Sequence, residues 1–242
     1  MEENTREPNW RSNGAIFIVL KSFNEIISLL RQHEEEESEI KDKLNNHFMR
    51  HIDDIHSDDA MIAFCEINNK LWNLESNIKS SCDAVILTSC IDIEARVNMF
   101  CFNNIGEVTT EAIETLSLVN KLEVAHRILN IPQLVGTQQY TAFKELVSWR
   151  NAYAHGKCTD MNTKSLKKNH LESPERYPDY IDSVIILTKQ SSNYLYVLDH
   201  LRKRSKHPQT SGKLTQHEEI RELNKELKNI LRAITKKRSN IV

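Results

Sequence analysis

Glycine and proline are both scarce, five of each in 242 residues. Average usage is about 7% and 5%, so both are well under half of what is normal. A sheet-rich chain of this length needs more turn residues, and the shortage favours helices while excluding a collagen-like repeat. Cysteine is also limited. Cys65, Cys82, Cys90, Cys101 and Cys158 are odd in number and form no CxxC pair. That excludes a disulfide scaffold, speaks against a structural zinc site, and reads as reduced, mostly core-packed thiols of a cytoplasmic protein. No stretch approaches the roughly 20 apolar residues of a membrane span, so no membrane partner is expected. The early run Ala15–Leu20 lacks the basic start and cleavage region of a secretion signal. Charge of one sign is missing too: 32 Lys+Arg face 34 Asp+Glu, and the net charge of −2 gives no overall basic signature. With 39% hydrophobic residues, disorder throughout is excluded.

What is present is helical periodicity, interrupted where the glycines and prolines fall. Gly14, Gly106, Gly136, Gly156 and Gly212 all stand at expected element ends. Ile16, Val19, Leu20, Phe23, Ile26, Ile27 and Leu30 make one apolar stripe, and Ile40, Leu44, Phe48, Ile52 and Ile55 make a second. The acidic run Glu34–Glu37 reads as a solvated connection between them or as a helix face. Ser57 with Asp58 and Asp59 looks like a helix start leading through Met61, Phe64, Leu71 and Leu74. Asp83–Asn103 is the most apolar stretch and the expected central buried helix. It carries Asp92, Glu94 and Arg96, which are costly to bury unless paired or facing a site. Thr109 and Thr110, followed by Glu111 and Glu114, predict a capped helix running to about Ile131. Further helices are expected over about Gln138–His155, with Gly156 as a stop, over about Pro178–Arg204, and over about Leu214–Arg238. The arrangement expected is all-α, with an N-terminal helical extension (1–57), a helical domain (58–204), and a linker with a charged C-terminal helix (205–242).

Chemistry concentrates in Trp149-Arg150-Asn151-Ala152-Tyr153-Ala154-His155-Gly156. Asn151 and His155 are four apart and share a helix face, and Arg150 lies about 100° around from Asn151. A guanidinium that keeps its charge can hold phosphate oxygens, and an imidazole can move a proton near neutral pH. A helix carboxyl end would favour the protonated imidazole. Spacing alone carries no weight, since Arg followed by His after four to six residues arises about once or twice by composition. It occurs three times here: Arg50–His56, Arg150–His155 and Arg202–His207. Arg202–His207 runs through a basic linker. Arg50–His56 is a competitor, with Asp53 and Asp54 reading as a solvated face.

At Arg150 the chain resembles the HEPN family of small helical domains, many of them metal-independent RNases. The family's hallmark is Arg, a polar residue, then His after four to six positions, which Arg150-Asn151…His155 fits. An upstream buried helix with a Glu-containing segment is similar to Ile91-Asp92-Ile93-Glu94-Ala95-Arg96-Val97-Asn98. The resemblance covers about residues 58–204, and it implies an antiparallel helical bundle, here with extra N-terminal helices and the charged C-terminal one. It also implies an endoribonuclease that needs no metal or other cofactor and uses the ribose 2′-OH as nucleophile, leaving 2′,3′-cyclic phosphate and 5′-OH ends. By this analogy His155 is the general acid or base, Arg150 steadies the phosphorane charge, and Asn151 orients the His or the phosphate. Glu94 either pairs with Arg150 or forms an ordinary buried salt bridge with Arg96 or another cation. Tyr153 either stacks on a base or fills the core. Lys164, Lys167 and Lys168, with Arg202 and Lys203, are candidate RNA-backbone contacts.

One motif per chain points by the same analogy to a homodimer with a composite cleft. A second half supplied by Arg50–His56 is the alternative. The expected role is a toxin or phage-defence effector with an antitoxin or other regulatory protein as partner. The competing reading is a non-catalytic helical module that binds a protein or a nucleotide. Other chemistries find no motif: the chain has no Gly-rich phosphate loop, HExxH or GxSxG, and Cys158 reads as a loop thiol.

Overall fold

A computed structural model describes residues 12–50, 58–155, 180–205 and 212–239. Seven helices and no strand occur among them: α1 Ser12–Arg50, α2 Asp58–Ile105, α3 Glu107–Ala112, α4 Leu118–Ile128, α5 Gln138–His155, α6 Tyr180–Arg204 and α7 Gly212–Ser239. The all-α expectation is met.

Two helices are longer than the sequence suggested. α1 runs unbroken through Glu34–Glu37, because that run is a helix face and not a connection. Glu36 pairs with Lys70 of α2, and His33 Nε2 lies 3.3 Å from Glu75. The expected N-terminal helices are therefore a single helix over 12–50, and Gly14 sits in its first turn instead of at a break. The pairs 33–75 and 36–70 also fix α1 antiparallel to α2. Likewise Asp83–Asn103 is the inner part of the 48-residue α2, whose earlier turns carry the exposed Ile62 and Trp72.

The helix expected from Thr109 to Ile131 is instead two. Thr110 Oγ1 donates back to the Gly106 carbonyl at 2.8 Å, so it lies inside a turn and caps nothing. The cap is Ser117, whose Oγ accepts the Asn120 N–H at 3.3 Å and starts α4. Gly106 (φ 85) supplies the left-handed turn between α2 and α3. α4 closes early in a Schellman motif. Asn130 takes φ 54, its N–H reaches the Arg127 carbonyl, and the Ile131 N–H reaches the His126 carbonyl.

α2 packs against α1, α3, α4, α5 and α6, while α7 lies on α1 and α6. A single apolar cluster takes Phe23 and Ile26 from α1, Ile78, Val85 and Ile93 from α2, Leu146 from α5, Leu187 from α6, and Ile220 and Leu227 from α7. The C-terminal helix thus spends its apolar stripe inside its own chain. α5 and α6 run antiparallel, tied by Gln138 and Gln139 to Tyr196 and by Glu145 to Lys189, Gln190 and Asn193.

Candidate functional site

The three charged residues of α2 divide between two places. Asp92 and Arg96, four apart, pair within the core, and the Tyr194 hydroxyl donates to the same Asp92 oxygen at 2.7 Å. Burial first, and then the Asp92 charge, push the Tyr194 phenol well above its ordinary pKa. Glu94 points out of the core toward α5. Arg150 Nη2 donates to both Glu94 oxygens, at 2.9 and 3.2 Å, and Arg150 Nη1 donates to Asn151 Oδ1 at 3.1 Å. Of the two pairings open to Glu94 in the sequence, the structure has the one with Arg150.

These residues edge a crevice of about 180 Å³ between α2, α5 and the α3–α4 link. Leu116, Ser117 and Leu118 form one wall, while Cys90, Ile93 and Leu146 form the floor. The side chains of Glu94 and Arg150 are each about a third exposed, at 36% and 37%, so the ion pair is reachable from solvent. Three of the five guanidinium N–H groups are used by these bonds, leaving one on Nη1 and the Nε–H without a partner among the described residues. That free edge suits an oxyanion.

Cys90 is a residue that sequence reading placed only in the core. Its thiol donates to the Leu146 carbonyl at 3.2 Å. Burial pushes its pKa up to about 12, with the Arg150 backbone N–H and charge pulling weakly the other way. A thiol held protonated is a structural floor and not a nucleophile. Its position four residues before Glu94, on the same face of α2, was the signal available in the sequence.

The backbone of α5 continues to His155, so the one-turn relation of Asn151 to His155 holds. The side chains of Tyr153 and His155 lie outside the described residues, as do Lys164, Lys167, Lys168 and His56. Arg202 and Lys203 are exposed at the carboxyl end of α6 and are not brought to Arg150. By the α5–α6 pairing, Glu145 sits opposite Asn193, so Arg150 lies one way along the pair and Arg202 the other, about 20 Å apart in helix rise.

The end of α6 that bears Arg202 holds instead a histidine pair. His126 and His200 stack with ring centroids 5.2 Å apart and Nε2 atoms at 3.4 Å. His126 Nδ1 donates to the Pro132 carbonyl at 3.3 Å, which leaves its Nε2 to accept from His200. Burial, then the His126 and Arg204 neighbours, depress the His200 pKa to about 4, so this pair is neutral near pH 7. His217 on α7 is also pushed down to about 4, by burial and by Arg96. Among the described residues no three His, Cys, Asp or Glu side chains are grouped as a metal ion would need. No helix of the described residues is long and apolar enough to cross a membrane. No protein-family model, curated protein or solved structure matches this chain.

Proposed function

We propose that the chain is a HEPN-like endoribonuclease that cleaves RNA by transesterification without a metal, with its active centre at the Arg150 end of α5. The observation that carries this reading is the guanidinium at the open crevice, held on one side by Glu94 and free on the other. The ribose 2′-oxygen attacks the adjacent phosphorus, and its proton passes to a general base. The bond to the 5′-oxygen breaks as that oxygen takes a proton from a general acid. The products are a 2′,3′-cyclic phosphate and a 5′-OH. His155 serves one of the proton transfers, Arg150 stabilises the charge on the phosphorane oxygens, and Asn151 holds the guanidinium's second nitrogen. Glu94 is a positioning residue, acting through Arg150.

With one motif per chain, a homodimer brings two sets of these residues to one cleft. An antitoxin or other regulatory protein would restrain such an effector in the cell. A second reading, a binding module without catalysis, draws on the same ion pair, because Glu94 already neutralises much of the Arg150 charge.

The deciding experiment incubates wild type, Arg150→Ala and His155→Ala with a structured RNA in EDTA and identifies the product ends. Cleavage by wild type alone, with cyclic phosphate ends, is the expected result. Equal cleavage by all three overturns it. Sedimentation across a dilution series tests the composite cleft, which an active, strictly monomeric protein would rule out.

A further inference from the structure

A second concave surface lies between α6 and α7, on elements that contribute nothing to the Arg150 crevice. It encloses about 430 Å³ and is bordered by Ser192, Tyr196, Asn224, Lys228 and Arg232, among others. At one end Arg221 pairs with Asp199 and Lys225 lies 3.6 Å from Glu222, so charge there is balanced. The other end is different. No carboxylate among the described residues pairs with Lys228 or Arg232 there, or with Lys236 one turn beyond the groove. These three stand in steps of four residues, so each is about 6 Å along the helix from the last. The α7 carboxyl terminus attracts cations only within its final turn, which accounts for Lys236 but not for Lys228, three turns back.

The groove's floor adds a polar feature. Asn224 is 4% exposed, and its Nδ2 donates to Ser192 Oγ and to the Thr188 carbonyl. Its Oδ1 is buried without a partner among the described residues. A buried carbonyl oxygen left unmatched is costly, and no neighbouring group supplies the donor it lacks. Ser192 cannot supply it, since its hydroxyl already donates to Thr188 and accepts from Asn224 and Lys228. Above this oxygen the groove is edged by Tyr196, 37% exposed and anchored through its hydroxyl to Gln138 and Gln139.

We propose that the α6–α7 groove is a track for single-stranded RNA. Lys228 and Arg232 contact successive phosphates, Lys236 continues the line one turn past the groove, and Tyr196 offers a stacking face. A bilayer is met by an exposed apolar helix face, whereas the apolar Leu195 here is buried inside a concave groove. The α6–α7 pairing sets Asn224 against Thr188 and Ser192, so Arg232 reaches the same turns of α6 that α5 covers with Arg150. The track therefore leads toward the end of the bundle that carries the cleavage site. The choice of RNA over another polyanion rests on the proposed function.

The test measures fluorescence anisotropy of a labelled 12-nucleotide oligouridylate with the full chain carrying His155→Ala, so that the RNA stays intact. Adding Lys228→Gln and Arg232→Gln should weaken binding about tenfold and lower the salt slope by about 1.4, or ~0.7 per lost phosphate contact. Should the double change disturb folding by circular dichroism, Arg232→Gln alone is the substitute, with a slope change of about 0.7. Unchanged affinity and slope in a folded variant overturn the track. So does equal displacement by poly-glutamate, or capture by anionic vesicles in place of RNA. If wild type leaves RNA uncut while binding still depends on Lys228 and Arg232, the track stands and the cleavage reading fails. If RNA is cut with dependence on Arg150 while binding ignores the groove, the reverse holds.

Discussion

Asp92 and Glu94 stand two residues apart on α2, about 200° around the helix from each other, and the two carboxylates meet different fates. Asp92 is fully buried and closed on Arg96 and Tyr194, whereas Glu94 is a third exposed and reaches across to Arg150. The inner pair is held by one helix's own spacing and locks α6 against α2. The outer pair joins two helices at a crevice and leaves guanidinium N–H groups open. Charge on a buried helix is thus structural on one face and available for chemistry on the other, and the two faces should fail in different ways.

The largest effect is expected from Asp92→Ala, which removes the carboxylate that balances the charge of the Arg96 guanidinium, 10% exposed, in the core. A loss of about 3–5 kcal/mol of stability follows, read as a drop in the chemical-denaturation midpoint. Arg150→Ala should do the converse. Cleavage falls by about 10²–10³-fold, as for removal of one transition-state charge stabiliser, while stability changes by less than about 1 kcal/mol. Thermal melts beside single-turnover rates separate the two; a melt as severe as that of Asp92→Ala would merge them and undo the contrast.

Acid sharpens the same contrast with a smaller effect. His217, next to Arg96, and His200 titrate near 4 in the folded chain but near 6.5 when unfolded. Between those values the unfolded chain holds more protons, so stability is complete above about pH 6.5 and declines as pH falls toward 4. From pH 6.5 to 5 the loss should be on the order of 1 kcal/mol per histidine, allowing for solvent screening. Urea midpoints at pH 7, 6 and 5 measure it, and replacing His200 by Gln should remove part of the slope. Smallest is Glu94→Gln, which keeps an acceptor for Arg150 but not the charge. About a tenfold fall in cleavage with an unchanged melt is expected if Glu94 has the positioning role proposed for it. Restoration of rate by Glu94→Asp relative to Gln would separate positioning from bulk.

Most of the helical order was legible because apolar positions recur at three and four, and α5, α6 and α7 end within two residues of where periodicity stops. The break before α4 was obscured by a better-looking signal. Thr109-Thr110…Glu114 has the form of a cap, yet the hydroxyl that caps is Ser117, whose flanking sequence carries no acidic partner three residues on. The continuity of α1 was hidden for another reason: four glutamates read equally as a solvated loop or a solvated face, and only Lys70 and Glu75, on the partner helix, decide between them.

The site divides similarly. The Asp92–Arg96 pairing could have been read from its i,i+4 spacing, and the i,i+2 spacing of Glu94 and Arg96 already placed them on different sides. That Glu94 finds Arg150 depends on how α5 crosses α2, and no local pattern encodes a contact 56 residues away. The same long-range geometry sends Arg202 and Lys203 to the far end of α6. It also buries Asn224 against Ser192, a polar residue that its own helix pattern gives no reason to single out.

Cys90 also bears on how the site could be watched. The residue is 3% exposed, its thiol is tied to the Leu146 carbonyl, and it lines the same crevice as the Glu94–Arg150 pair. A thiol-directed reagent must wait for the α2–α5 seam to part before it can react there, whereas the exposed Cys65 is open to it at once. With Cys82, Cys101 and Cys158 replaced by alanine, the slow phase of labelling is therefore a clock for that seam, counting how often the crevice opens, and ligands that bridge the two helices would make it run slower.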